Sequence, residues 1–358
     1  MRVLVFTVLI SFSVIQFFVP GHGKGEESCD NCKDVPLKAV VNSSNNKLFL
    51  LTEGGLLVIN PENGNIENTK TILNPTDIVF SEKDNKIFIS TTSKIELIDA
   101  SNLNTVKEFR ITHSRLPLII VDKKNENLLQ VDPHSKKITI FNLKSYNKRK
   151  IIKLKGLPTA FAINSNNKLY ISTIKKKALI KTYVSNTPSS KPFPQIEIFN
   201  LNNFKNEGSI EVIGNQVIDI VTDTQHEKLY LIVTTNRINL STNIATVDWL
   251  TQKVTSSFPV YEVDSSLRET SGITIDENLN KLYISVTTAL NKNTLIEFDT
   301  IENKITNIAK EDTDTGKLLA IDPDKKIIYT ISGDPFNGFS LNIINKDTLE
   351  RISTTKIN

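Results

Sequence analysis

Cysteine, histidine and tryptophan are scarce in this chain of 358 residues, which has two Cys, four His and one Trp. Two cysteines cannot build a disulfide framework. Four histidines, one of them at position 22 next to an apolar N-terminal run, leave little material for a histidine-rich metal site. The charge excess is small as well, since 43 Lys and Arg against 39 Asp and Glu give +4. That excess does not indicate a nucleic-acid binder. We therefore expect no metal, no cofactor and no nucleic-acid partner.

Motifs of common enzymes are missing too. The sequence contains no G-x-S-x-G, no P-loop and no second C-x-x-C. His113, His134 and His226 stand in turn-like contexts without a partnered Ser, Cys or acidic motif. We assign them no catalytic role, and the sequence predicts no catalytic residue.

Long apolar runs are confined to the N-terminus. Residues 3–19 are apolar apart from scattered Ser, Thr and Gln, they follow Arg2, and a Pro-Gly-His-Gly segment at 20–23 ends the run. This pattern predicts a secretory signal peptide over residues 1–23, and the alternative is an uncleaved signal anchor. No later run is long enough to cross a bilayer. We expect a secreted, extracellular monomer with no membrane span after cleavage.

A short tail, residues 24–36, follows the leader and contains Cys29 and Cys32. In an oxidising compartment this Cys-x-x-Cys pair predicts a small local disulfide rather than a redox centre. Sequons at Asn42 and Asn239 are candidate glycosylation sites if the host is a eukaryote.

One phrase recurs along the rest of the chain: a polar turn, a Lys and a β-rich run. Its seven anchors are spaced by 39 to 60 residues, at Lys47, Lys86, Asn127, Lys168, Lys228, Lys281 and Lys326. The cleanest copy divides into four short runs rich in Val, Ile, Phe and Thr, at 77–80, 86–91, 94–99 and 106–111. Four strands in about 40 residues are typical of a propeller blade.

The repeats predict an all-β fold, a seven-bladed β-propeller of four-stranded antiparallel blades over residues 37–358. The expected blades cover about 37–74, 75–114, 115–156, 157–214, 215–267, 268–314 and 315–358.

The phrase N-K-L-[FY]-[IL]-[ST], preceded by an apolar strand and a polar turn, resembles the YVTN/NHL class of propeller repeats over nearly the whole mature chain. The resemblance implies the fold and little about function, because this class includes surface proteins, lactonase-like enzymes and interaction scaffolds. The last copy contains its own fourth strand, at 349–355. We therefore expect no exchange of strands between the chain ends, and closure of the ring by packing or by the N-terminal tail adding to an edge.

Loop lengths suggest a binding face. In a four-stranded blade the connection between strands two and three shares a face with the link to the next blade. That connection is brief in the first two copies and longer in the later ones, at 174–194, 234–244, 287–293 and 333–339. Insertions on one face of a repeat protein often mark the binding face, and the alternative is tolerated surface drift. The insertions and their flanks contain aromatic residues that we expect to be exposed: Tyr183, Phe193, Phe336, Phe339 and Trp249.

Acidic residues are absent from residues 133–195, a stretch that holds 14 basic ones and leaves 29 basic against 39 acidic residues elsewhere. Lys153 and Lys155 lie at the end of an outer strand, so we expect them near the face that carries the insertion at 174–194. Outside a cell this patch would attract an acidic protein or an anionic polysaccharide, and the alternative is a set of solvated lysines. The predicted partner-binding residues are Lys148, Arg149, Lys150, Lys153, Lys155, Lys175, Lys176, Lys177, Lys181, Phe193 and Phe336.

The innermost strands should meet at a central channel. Their alignment places these residues at one ring level: Lys38, Asp77, Leu118, Ala160, Asp219, Gly272 and Leu318. Such a ring offers few oxygens to a calcium or magnesium ion. Asp77 and Asp219 either form an acid–base pair, although they come from nearly opposite copies, or line the channel and satisfy backbone donors.

The leading hypothesis is a secreted, non-enzymatic binding propeller that uses its basic, loop-rich face. The alternatives are a lactonase-like hydrolase that acts at the channel mouth, formed by Lys38, Asp77 and Asp219, and a structural surface-layer protein.

Overall fold

A computed structural model describes residues 35–111, 114, 116–174, 194–234, 242–260, 267–288, 292–309, 314–322, 324–334 and 337–357. Within these ranges, 28 strands form seven four-stranded antiparallel sheets, each made of four consecutive strands. The predicted all-β, seven-bladed propeller is thereby confirmed. Among these residues no helix is long and apolar enough to cross a membrane. The leader and the cysteines, Cys29 and Cys32, lie outside the described residues.

The strands are numbered in chain order. Blades 1 and 2 consist of β1 (Pro36–Asn42), β2 (Lys47–Thr52), β3 (Gly55–Ile59), β4 (Ile66–Thr71), β5 (Pro75–Ser81), β6 (Lys86–Thr91), β7 (Lys94–Asp99) and β8 (Thr105–Arg110). Blades 3 and 4 consist of β9 (Leu118–Asp122), β10 (Asn127–Asp132), β11 (Lys137–Asn142), β12 (Lys148–Lys153), β13 (Leu157–Ile163), β14 (Lys168–Ile174), β15 (Pro194–Asn200) and β16 (Lys205–Glu211).

Blades 5 and 6 consist of β17 (Gln216–Asp223), β18 (Lys228–Thr234), β19 (Thr242–Asp248), β20 (Lys253–Pro259), β21 (Leu267–Asp276), β22 (Lys281–Thr288), β23 (Asn293–Asp299) and β24 (Lys304–Ile308). Blade 7 consists of β25 (Lys317–Asp322), β26 (Ile327–Asp334), β27 (Gly338–Asn345) and β28 (Arg351–Ile357).

A left-handed turn residue explains the recurring Asn-Lys phrase. The residue before the second strand of every blade has φ between 49° and 63°; these residues are Asn46, Asn85, Glu126, Asn167, Glu227, Asn280 and Lys326. Asn tolerates this conformation better than most residues, and it occupies four of the seven positions. In blade 7 the turn residue is Lys326, so the anchor of that copy is Ile327, one residue later than the sequence alignment placed it.

Apolar packing is concentrated between blades. The buried apolar side chains of the described residues form seven clusters, and each cluster joins two neighbouring blades. The first strands of neighbouring blades contact each other at six of the seven junctions, and in the described residues blades 3 and 4 meet instead through the cluster of Leu129 and Leu169. Each blade therefore depends on its two neighbours to bury its faces.

The ring closes without exchange of strands, because β1 to β4 and β25 to β28 are two complete sheets. Leu48 and Leu50 of blade 1 pack in one cluster with Tyr329 and Phe339 of blade 7. Gly64 also lies at this junction, and an added Cβ there would overlap the Thr355 side chain. Among the described residues the ring is closed by side-chain packing, one of the two mechanisms expected; most of the N-terminal tail lies outside them.

Two of the predicted insertions are shorter than expected. β22 extends to Thr288 and β23 begins at Asn293, so strands take up three of the seven residues in the interval 287–293. In blade 7, Asp334 pairs with Gly338. The aromatic residue Phe339 follows directly in β27 and is buried, so it forms part of the core rather than of an exposed loop.

Candidate functional site

The channel mouth brings Lys38 and Asp77 together. Nζ of Lys38, on β1, donates to Oδ1 of Asp77, on β5, at 2.7 Å. The same oxygen accepts the Ile78 N–H at 2.9 Å, and Oδ2 accepts the Ile119 N–H of β9 at 2.8 Å. The Asp77 side chain is 2% exposed. This carboxylate therefore connects blades 1, 2 and 3, and both its oxygens are engaged.

Asp219 makes equivalent hydrogen bonds to backbone N–H groups in blades 5 and 6. Its Oδ1 accepts the Ile220 N–H at 2.9 Å, and its Oδ2 accepts the Ile273 N–H of blade 6 at 3.4 Å. Burial raises the pKa of the Asp219 carboxyl to about 6, while the two N–H groups and the positive charge of Lys38 act in the opposite direction. The two aspartates thus occupy similar positions in their blades, and both satisfy backbone donors of the next blade.

We expect the Asp219 carboxyl to titrate near pH 6 in the folded protein. Because this pKa lies above the ordinary value of 3.8, folding favours the protonated form. The resulting stabilisation is present below about pH 4 and is lost as the pH rises to about 6, by about 1.4 kcal/mol for each unit of pKa shift. A carboxyl ¹³C NMR titration measures the midpoint.

Lys38→Met should raise that midpoint, because the attraction of the Lys38 charge is removed. Lys356→Met, an exposed change on β28, serves as the control and should leave it unchanged. A midpoint near 4 in the wild-type protein would contradict the assignment.

Blade 3 carries the second candidate site. Its outer strand β12 has the sequence KRKIIK, and Lys148, Arg149, Lys150, Lys153 and the following Lys155 are all exposed. We call these five residues the basic edge. Lys153 pairs across the sheet with Lys137 of β11, so two like charges lie directly opposite each other. Among the residues that the structure describes, no acidic group lies within 4.0 Å of the four lysine ammonium groups of this edge.

In blade 3, the anchor residue and the residue that it contacts on the outer strand differ from those of blades 1 and 4. In those blades the anchor lysine binds a glutamate at a β-bulge of the outer strand; the pairs are Lys47–Glu67 and Lys168–Glu207. In blade 3 the corresponding residues are Asn127 and Arg149, and Nη1 of Arg149 donates to Oδ1 of Asn127 at 3.3 Å. A position that is acidic in two other blades is therefore basic here.

Arg149 is held in place from a second side. Its guanidinium carbon lies 5.1 Å from the centroid of the Phe204 ring, which belongs to the turn between β15 and β16 of blade 4. A cation over an aromatic face is attracted by the ring quadrupole. The basic edge thus follows the rim of blade 3 and contacts blade 4, and its lysines extend towards the face that bears the link to β13.

Several predicted partner-binding residues lie outside the described ranges; they are Lys175, Lys176, Lys177, Lys181, Phe193 and Phe336. Tyr183 and the sequon residue Asn239 lie outside them as well. The structure therefore brings together the members of the basic patch on β12 and leaves the others as predictions.

Two residues have buried roles that the sequence did not reveal. Asn42 is 1% exposed, and its Nδ2, the atom a glycan would modify, donates to Oδ1 of Asn85 at 3.2 Å. In the fold this nitrogen is engaged by the neighbouring blade, and glycosylation of Asn42 stays a prediction. Trp249, which the sequence suggested as a surface aromatic, is 3% exposed and packs between blades 4 and 5.

No group of three or more His, Cys, Asp or Glu side chains in the described residues is arranged to hold a metal ion. The carboxylates at the ends of the first strands instead cap turns, as Asp122 does for the N–H of Asn125 at 3.1 Å.

Comparison with known proteins shows similarity of fold alone. No protein-family model matches the sequence, and no curated protein matches it. The chain is similar to the Kuenenia stuttgartiensis hydrazine synthase, with a TM-score of 0.61, 13% identity, and coverage of 79% of this chain and 81% of that chain. It is also similar to the Cps50 (Swd1) β-propeller domain of Myceliophteria thermophila, with a TM-score of 0.64, 10% identity, and coverage of 87% and 96%. At such low sequence identity, the similarity concerns the fold and says nothing about the activity of this chain.

Proposed function

We propose that this protein is a secreted, non-enzymatic binding propeller that recognises an anionic polysaccharide, or an acidic protein of similar charge density, through the basic edge of blade 3. The observation that carries the proposal is the row of exposed lysines on β12 without an acidic neighbour among the described residues. Secretion is supported by the apolar leader. The Asn-Lys turn phrase supports membership of the YVTN/NHL class of repeats.

The shape of the edge favours a linear partner. An extended strand rises about 3.3 Å per residue, so the cations between Lys148 and Lys155 span roughly 20 Å. A polysaccharide with regularly spaced sulfate or carboxylate groups can contact several of them at once. Because lysines predominate over the single Arg149, we expect charge attraction that is sensitive to salt rather than recognition of one defined group.

Changing Lys148, Lys150 and Lys153 together to Gln should weaken binding to heparin, used as the polyanion probe, by about tenfold or more at low salt. The expected cause is the loss of three positive charges that no carboxylate of the described residues neutralises. Isothermal titration calorimetry at several salt concentrations measures the affinity, and the dependence of log K on log salt should become shallower.

A variant with the same change in net charge provides the control. Lys107, Lys253 and Lys356 are exposed on the outer strands of blades 2, 5 and 7. Their triple change to Gln should leave heparin affinity within about twofold, since they are dispersed around the rim. Equal losses in the two triple variants would remove the basic edge from the proposal. Glu substitutions at Lys175, Lys176 and Lys177 then test whether the adjoining loop extends the surface.

A hydrolase at the channel remains the second candidate, and the raised pKa of Asp219 is the observation in its favour. A panel of lactones and esters, with and without added metal ions, tests it on the wild type and on Asp219→Asn. Activity that the substitution abolishes supports the enzyme, whereas an inactive wild type leaves binding as the function.

A further inference from the structure

A cleft of about 330 Å³ opens between blades 2 and 3, on the face that carries the turns before the second strands. Its floor and walls are apolar. Phe88 and Leu97 are buried beneath it, and Val121, Leu143 and Tyr146 line it while half-buried. None of the basic-edge residues lines this cleft.

Comparison with the junction of blades 5 and 6 explains why the walls of the cleft are apolar. At the junction of blades 5 and 6, the Tyr230 hydroxyl donates to the carbonyl oxygen of Thr300 at 3.4 Å. The equivalent residues at the cleft are Phe88 and Leu143, because Leu143 and Thr300 donate their N–H groups to the left-handed turn residues of their own blades. Phe88 has no hydroxyl, so the upper part of this junction has an apolar surface without that hydrogen bond.

The rim of the cleft is charged. Its charged lining residues are Lys83, Lys86, Lys123, Lys144, Asp84 and Glu126. Lys86 pairs with Asp99 and Lys123 with Glu82, which leaves Lys83 and Lys144 as the lysines that meet at Glu126. Amphipathic ligands suit such a site, because apolar walls bind the body of a ligand while a few polar groups fix its orientation.

One carboxylate of the protein already lies between two lysines of the rim. Oε2 of Glu126 lies 2.6 Å from Nζ of Lys144, and its Oε1 lies 3.3 Å from Nζ of Lys83, which comes from the other blade. Hydrogen bonds from these lysines, first from Lys144, hold the pKa of Glu126 below its usual value. The two ammonium groups, which are 75% and 71% exposed as side chains, thus converge on a carboxylate at the edge of an apolar cavity.

We propose that this cleft binds a small organic anion with an aromatic or branched aliphatic body and one carboxylate group. The body lies against Val121, Leu143 and Tyr146, above the buried Phe88 and Leu97. The carboxylate shares or replaces the place of Glu126 between Lys83 and Lys144. A volume of about 330 Å³ admits one compact ring system, at the lower end of the range for ligand sites. This site is separate from the polysaccharide surface proposed above and does not depend on it.

Titration calorimetry with 2-naphthoate at low salt tests the site on the full mature chain. The uncharged 2-naphthamide should bind at least about threefold more weakly, because it cannot pair with the lysines. Lys144→Gln should weaken 2-naphthoate binding about two- to fivefold. Glu126→Gln should strengthen it by a similar factor, since it frees both ammonium groups from the competing carboxylate. These residues are exposed or half-exposed, so the variants retain the fold.

Lys144→Gln should weaken 2-naphthoate binding and Glu126→Gln should strengthen it, and these opposite effects distinguish a site from general charge attraction. Lys253→Gln, far along the chain on β20, should leave 2-naphthoate binding unchanged, as should the triple change of Lys148, Lys150 and Lys153. Absence of 2-naphthoate binding, equal binding of the acid and the amide, or weakening by Glu126→Gln overturns the proposal. Loss of heparin binding in the β12 triple variant concerns only the polysaccharide surface, so the two proposals fail separately.

Discussion

Lys346→Ala should lower the free energy of unfolding by about 3–5 kcal/mol, the cost of leaving a buried charge without its partner. Lys346 follows β27 in blade 7, and its ammonium group donates to Oδ2 of Asp276 at the end of β21 in blade 6. The two side chains are 1% and 2% exposed. The substitution leaves the Asp276 carboxylate in a dry interface between blades, where desolvation is costly.

Chemical denaturation followed by the fluorescence of the buried Trp249 measures the effect of Lys346→Ala. Lys326→Ala is the matched control, because that lysine also pairs with an aspartate, Asp347 of its own blade, but is 65% exposed. It should change stability little, since solvent screens exposed pairs. The double variant Lys346→Met with Asp276→Asn removes both charges and should recover much of the loss. A cost for Lys346→Ala no larger than that of the control would show that the pair does not stabilise the blade 6 to blade 7 junction.

Asp77→Ala should destabilise the protein by about 2–4 kcal/mol, because it deprives a buried backbone N–H and an ammonium group of their acceptor. The N–H of Ile119 would face an apolar methyl group, and Lys38 would lose its contact at the channel mouth. Three blades meet at this carboxylate, so its removal should loosen blades 1, 2 and 3 together. Thermal unfolding with hydrogen exchange at Ile119 measures both the global and the local effect.

Asp219→Ala is the matched control for Asp77→Ala. Asp219 makes the equivalent contacts in blades 5 and 6, but its hydrogen bond to Ile273 is longer, at 3.4 Å, and its folded pKa near 6 already disfavours the ionised form. The cost should therefore be clearly smaller. If both variants were as stable as the wild type, the two aspartates would not be structural, and a chemical role at the channel would gain weight.

The propeller was predictable from sequence because each blade is specified by short-range patterns. Alternation of apolar residues defines the strands, and an Asn that tolerates positive φ marks the turn before Lys47, Lys86, Lys168 and Lys281. Predicted and observed strands of blade 2 agree to within about two residues, as in β6 and β7, whose bounds are those expected. The one-residue error at Lys326 arose because a Lys replaced the Asn that marks the turn elsewhere.

The sites were only partly predictable. The absence of acidic residues from 133–195 is a property of the chain and indicated the basic patch directly. The ring alignment also placed Lys38 and Asp77 at one level. It did not show that the Asp77 carboxylate accepts a hydrogen bond from the backbone of blade 3. The direction of a side chain towards a neighbouring blade depends on the twist and spacing of two sheets, which no local pattern records.

The sequence by itself determined the number of blades, the turns and the distribution of charge, since each of these depends on residues close together in the chain. Only the tertiary structure decided which charges meet. The pair Lys346 and Asp276 joins residues 70 positions apart, and Glu126 is shared by lysines from two blades. Interfaces between repeats are formed by contacts that are distant in sequence, and the buried pair, the engaged Asp77 and the cleft between blades 2 and 3 all lie at such interfaces.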